Sequence, residues 1–154
     1  MGRRATFAEF EPACRAAGIS MTLQRRAVLE VLLARADHPT ADQVVEDLAE
    51  RGVSGVSRAT VFRALELFAE RGIVARVCHP GSAARYEVRT HRHHHLVCDV
   101  CGKIADFDDD TLNALKLPEL GTGGFRARDF SVHVRGLCAA CAREEDHELR
   151  NEET

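Results

Sequence analysis

Ser57-Arg58-Ala59-Thr60-Val61-Phe62-Arg63-Ala64-Leu65 reads as the start of a helix with two unlike faces. Ser57 is an N-cap residue type, and Val61, Leu65 and Phe68 recur at helical spacing as an inner stripe. Arg58, Thr60, Phe62 and Arg63 are left on the outer side. The helix closes at Glu70-Arg71-Gly72, where glycine can take a left-handed cap.

Upstream, Phe7, Phe10, Cys14 and Ala17 mark a short amphipathic helix over about 7–17. Thr22 caps a second helix that runs to Arg35 and turns Leu23, Ala27, Val28, Val31 and Leu32 inward. Thr40-Ala41-Asp42-Gln43 is a capping box for a third helix, which buries Val44, Val45 and Leu48. Downstream, Ile73–Val77 and Ala84–Val88 read as two short strands around the turn His79-Pro80-Gly81-Ser82. Short helices followed by a hairpin are the pattern of a winged helix-turn-helix, in which the helix after the turn enters the DNA major groove. Arg58 and Arg63 would then meet phosphate or guanine edges, with Ser57, Thr60 and Phe62 beside them. Arg76 and Arg85 on the hairpin, and Arg15 on the first helix, are further basic candidates. The competing reading is an ordinary solvated face, because helix-turn-helix topology also serves protein interaction.

Charge supports a division of labour. Residues 1–90 hold 13 Arg against 11 acids, whereas residues 91–154 hold 8 bases against 13 acids. The chain of 154 residues has a net charge of −3, which excludes a polybasic, RNA-coating character but not a local nucleic-acid face. Nothing resembles a membrane span or a signal peptide, so the expected location is cytoplasmic, and the six Cys are better read as thiolates than as a disulfide framework.

The second half has a metal-binding composition. Cys98-Asp99-Val100-Cys101 and Cys138-Ala139-Ala140-Cys141 are two CxxC pairs, each placing two sulfurs on one tight turn. Together they can close a tetrahedral zinc site with no vacant position, which is a structural site. A redox CxxC is the alternative, but two pairs in one small chain favour zinc. Cys14 and Cys78 fall outside both pairs. Further along, His93-His94-His95 leads into Leu96-Val97-Cys98. On a strand, His93 and His95 share one face and His94 takes the other. Two His can grip one metal, with His38, Glu87 or Asp106 as candidate co-ligands, and such nitrogen and oxygen donors suit Fe(II), Mn(II) or Zn(II). The spacing alone leaves a solvated His run equally open. Ile104–Phe107 reads as a strand, Thr111–Lys116 as a short helix, Phe125–Leu137 as a strand region, and the charged tail from Ala139 as a fraying helix.

These motifs, in this order, resemble the Fur family of metal-dependent repressors, whose members answer to iron, peroxide, zinc or manganese. The resemblance runs over about residues 7–142 and rests on Ser57–Leu65, Arg85-Tyr86-Glu87, His93–Cys98 with Cys101-Gly102-Lys103, and Gly136-Leu137-Cys138 to Cys141. It implies an α+β chain with a winged helix-turn-helix DNA-binding domain over 1–90. A small α/β metal-binding dimerisation domain with a charged tail would follow over 91–154. It implies a homodimer that binds double-stranded DNA at a pseudo-palindromic operator, with no small-molecule substrate. It assigns Cys98, Cys101, Cys138 and Cys141 to structural Zn(II), and His38, Glu87, His93, His95 and Asp106 to a regulatory Fe(II) or Mn(II), with Zn(II) as an alternative.

Three departures bear on the signal. A further site of His and acids, present in some members, matches Arg92, His94, Asn113 and Phe130 here, so it is not expected. Whether His94 or His133 ligates any metal is left open by the sequence. Phe62 replaces a frequent Tyr and cannot donate a hydrogen bond to a base. Asp106 is the residue type of peroxide sensors, whereas Glu87 is that of iron sensors, and the former is the more discriminating. The expected role is therefore peroxide sensing, with iron or zinc sensing as alternatives. A zinc metalloenzyme and a zinc-stabilised interaction module are the rivals of other classes.

Overall fold

The computed structural model describes residues 6–35, 37–77, 83–88, 93–116, 124 and 130–152. The chain divides into two compact units, residues 1–90 and 91–154.

The first unit contains four helices and a hairpin: α1 (Phe7–Ala16), α2 (Leu23–Ala34), α3 (Ala41–Glu50), α4 (Arg58–Glu70), β1 (Val74–Val77) and β2 (Arg85–Val88). Each cap residue read from the sequence does its work. Thr22 accepts from the Arg25 amide, Ser57 accepts from the Thr60 amide, and Thr40 and Gln43 form a reciprocal capping box. The inner stripes meet in one core that buries Val28, Leu29, Val31, Leu32, Val44, Leu48, Val61, Leu65 and Phe68. Cys14 belongs to this core, and burial pushes its thiol pKa up, as expected of an inert thiol. At Gly72 a positive φ of 71° turns the chain from α4 into the hairpin. The strands pair antiparallel with Val74 opposite Val88 and Val77 opposite Arg85. The turn His79–Ser82 and Cys78 lie outside the described residues.

The second unit contains β3 (His94–Cys98), β4 (Ile104–Phe107), α5 (Asp110–Asn113), β5 (His133–Gly136) and α6 (Ala139–Glu152). The sheet order is β4-β3-β5; β3 runs antiparallel to β4 and parallel to β5. Two expected elements are shorter than the sequence suggested. α5 is a single turn rather than Thr111–Lys116, because it buries no residue and rests mainly on the Asp109 side chain that caps the Leu112 amide. The strand expected within 125–137 is confined to His133–Gly136, the stretch that pairs with His95–Cys98, while 125–129 lie outside the described residues. None of the described helices is long and apolar enough to cross a membrane.

Candidate metal centres

In the second unit both CxxC turns converge. Cys98, Cys101, Cys138 and Cys141 place their sulfurs within 4.8 Å of one another, and the Cys101 and Cys138 sulfurs are 3.7 Å apart. Zinc–sulfur bonds near 2.3 Å in a tetrahedron require sulfur separations of about 3.8 Å, so the residues fit the ion. Local backbone builds the knuckle. The Cys138 amide donates to the Cys98 sulfur, and Gly102, at φ 67°, donates back to the Cys98 carbonyl. Amides of Cys101 and Cys138 hold the Cys98 thiol down to about 6. Cys141 is pushed up to about 12, first by its hydrogen bond to Cys138 and then by burial. Four sulfurs this close become four thiolates only around a cation.

A second cluster lies on the same sheet. The alternation along β3 sends His95 to one face and His94 to the other, as the strand period requires. His93 Nε2 lies 3.6 Å and His95 Nε2 3.8 Å from the same Asp106 oxygen, and the two imidazoles meet edge to face at 5.0 Å. Asp106 pairs with His95 across β3 and β4, which explains its position. Two ligands of one ion with bonds of 2.0–2.2 Å sit about 3–3.6 Å apart, so this N,N,O set has nearly the right spacing for a metal such as Fe(II) or Mn(II). His94 is fully buried. Its ring lies against Phe107 and Phe130, and its Nδ1 accepts the Val132 amide. His133 stands beside His95, with ring centroids 5.2 Å apart.

In the first unit His38 and Glu87 form a pair, Nε2 to Oε2 2.6 Å, both side chains nearly buried. His38 sits in the loop between α2 and α3 with φ 52°, a left-handed conformation that a non-glycine residue holds only when its surroundings impose it. The imposing contacts are explicit. Arg85 donates to the His38 carbonyl, the Tyr86 amide donates to the Pro39 carbonyl, and Arg35 bridges Asp37 and Asp47. The Arg35 guanidinium holds the Asp37 carboxyl below the usual carboxylate range. A lowered folded pKa gives stability that is present above the unfolded value and lost as pH falls through the folded one. Asp37→Asn should therefore cost no more than about 1 kcal/mol at pH 7. The gap to wild type should hold down to about pH 5 and close below about pH 4. Urea unfolding across that range measures it, and a gap that persisted in acid would remove the Arg35 clamp.

The outer face of α4 is more structured than the sequence suggested. Ser57 and Thr60 hydroxyls bond each other at 2.9 Å. Arg58 is tied to Asp42 and lies over the Phe62 ring, and Arg76 faces Glu66 at 3.8 Å. Arg63 is exposed, Phe62 is 38% exposed, and Arg15 pairs with Glu11 within α1. Tyr86 reaches from the hairpin to donate to Glu66 of α4 at 2.8 Å. The acidic partners Asp42 and Glu66 escaped sequence reasoning, since only packing brings residues 16 and 10 positions away alongside Arg58 and Arg76.

A winged-helix unit joined to a sheet unit with a four-thiolate knuckle and a His–carboxylate cluster defines a metal-binding helix-turn-helix protein. The chain belongs to the ferric uptake regulator family, whose pattern it matches over residues 16–135. It is 34% identical over 127 residues to the peroxide-responsive repressor PerR of Staphylococcus aureus (strain Mu50), covering 82% of this chain and 85% of that one. Among solved structures it is similar to the ferric uptake regulator from Pseudomonas aeruginosa with manganese, at 29% identity and a TM-score of 0.69, covering 83% of this chain and 96% of that one. It is also similar to a zinc uptake regulator complexed with zinc and DNA, at 26% identity and a TM-score of 0.59, covering 90% of this chain and 94% of that one.

Proposed function

We propose that this chain is a cytoplasmic, metal-dependent repressor that binds a pseudo-palindromic operator as a homodimer and releases it on exposure to peroxide. The observation that carries this reading is the composition of the two imidazole–carboxylate groups, His38 with Glu87 and His93 with His95 and Asp106. Both lack thiolate, which suits Fe(II) or Mn(II) better than a dedicated zinc sensor. We assign both groups to one regulatory ion and the four Cys to structural Zn(II). An ion that takes ligands from residues on either side of the 90/91 boundary favours one arrangement of the units and shifts the population toward it. Similarity to a peroxide-responsive repressor supports the choice of signal, as does Asp106.

Bound Fe(II) supplies the electrons that activate peroxide. The chain's own part would be to hold His38 and His93 beside that point, where an imidazole carbon would accept one oxygen of the peroxide, the other leaving as water, and the ring would cease to be a competent ligand. Glu87 and Asp106 serve as ligands, so no general base is left for a hydrolytic reaction, and the family's regulators are not enzymes.

The test is a titration of DNA retention against Fe(II), Mn(II) and Zn(II), with and without peroxide, using a duplex selected from a randomised pool. Metal-independent retention, or none at any metal load, overturns the proposal. Within the same assay, Arg63→Ala should weaken binding by about 1–3 kcal/mol if it reads a base, and uniformly across sequences if it holds phosphate. Unchanged affinity for selected and random duplexes would place the reading face elsewhere.

A further inference from the structure

We propose that Asp42 is a specificity-determining residue for DNA reading, holding Arg58 as a pre-formed fork while its own charge keeps that corner from gripping phosphate. This rests on the DNA-binding function proposed above.

Arg58 is the first residue of α4, and Asp42 lies in the first turn of α3. Arg58 Nε donates to Asp42 Oδ1 at 2.6 Å and the adjacent amino nitrogen donates to Oδ2 at 2.9 Å, so both carboxylate oxygens are engaged side-on. The Phe62 ring lies beneath the guanidinium, 5.3 Å from its central carbon. The fork is thus gripped along one edge and supported from one face. Yet the pair is not hidden: the Arg58 and Asp42 side chains are 66% and 56% exposed.

Arginine has five N–H donors, and two are taken here. Three remain, and two of them, one on each terminal nitrogen, lie parallel in the geometry that meets the paired acceptors O6 and N7 of guanine. An arginine already fixed in position loses little rotamer freedom on binding. Asp42 has the opposite effect on phosphate. A carboxylate beside the helix start repels the backbone and lowers sequence-independent affinity, which is the part of binding set by counterion release. Fixing the fork and discouraging phosphate both raise the ratio of specific to non-specific binding. A free arginine at the same place would favour the nearest phosphate and carry no sequence information.

The experiment uses the full chain with zinc and Mn(II) and a pool of duplexes with a randomised centre, sequenced after capture. The wild type should select guanine at a symmetry-related pair of positions, and Arg58→Ala should lose that preference. Asp42→Asn, which keeps the shape and an acceptable helix start, should bind a scrambled duplex more tightly. Its salt dependence should steepen by about one unit of slope, and its ratio of selected to scrambled affinity should fall about tenfold. A purely structural tie between α3 and α4 predicts lower melting temperatures and an unaltered base preference in both variants, and that result overturns the proposal. If the wild type selects no sequence at all, the DNA-binding function fails and takes this proposal with it. If the wild type selects a sequence and Asp42→Asn selects the same one with the same ratio, only the role of Asp42 falls.

Discussion

Cys98→Ser or Cys138→Ser should release zinc and abolish the dimer. Structural zinc sites of this kind bind with apparent free energies of about 10–16 kcal/mol, at least as large as the whole stability of an ordinary domain. The sheet unit has little else to replace that energy. Its buried apolar residues among those described are Val97, Ile104 and two of the zinc-site cysteines, whereas Leu96, Val134 and Leu137 are exposed. Metal analysis together with native mass measures the effect. Cys14→Ser is the control: it alters a buried thiol of the first unit and should leave zinc content intact. Zinc and dimer mass that survive both changes in the CxxC turns would refute the four-thiolate assignment.

His93→Ala should produce the complementary phenotype, zinc retained and metal-activated DNA binding lost. Moving a two-state equilibrium from 1:99 to 99:1 takes a differential affinity of about 5.5 kcal/mol, and a site that has lost one of its ligands cannot supply it. Peroxide separates the signals. The Fe(II) form of the wild type should release DNA and gain oxygen mass on His38 or His93, and the Mn(II) form should do neither. A His93→Ala chain that still answers to metal overturns the regulatory site. If instead the iron form keeps its DNA and shows no oxidised histidine, the peroxide function falls and iron or manganese sensing takes its place.

Much of this molecule is local, and the local part is legible in the sequence. Caps at Thr22, Thr40 and Ser57 lie within three residues of the groups they satisfy, and each helix starts where its cap says. The CxxC turns carry their meaning in their own spacing. Elements held by distant partners were less legible. α5 shrank because nothing is buried beneath it, and β5 begins only where β3 offers a ladder. His38, Glu87 and Asp106 are readable from the residues only as candidate co-ligands, and their assignment to one site rests on the family resemblance, since no spacing rule links positions so far apart in the chain. The Asp42–Arg58 and Glu66–Tyr86 contacts had no signal at all, because an exposed acid looks the same in sequence whether or not packing gives it a partner.

Three successive residues of β2 have unlike correspondents. Arg85 holds the carbonyl of His38, Tyr86 holds Glu66 on α4, and Glu87 holds the imidazole of His38. Adjacent residues on a strand point to opposite faces, yet they share peptide planes that do not stretch. A displacement at Glu87 is therefore passed to Tyr86 except for what the φ and ψ between them absorb. The segment is a short link with one end on the imidazole and the other on the helix. The firmness of the Tyr86–Glu66 end, which includes no proposed ligand of the ion, is where the threshold of such a switch can be adjusted without altering what it detects.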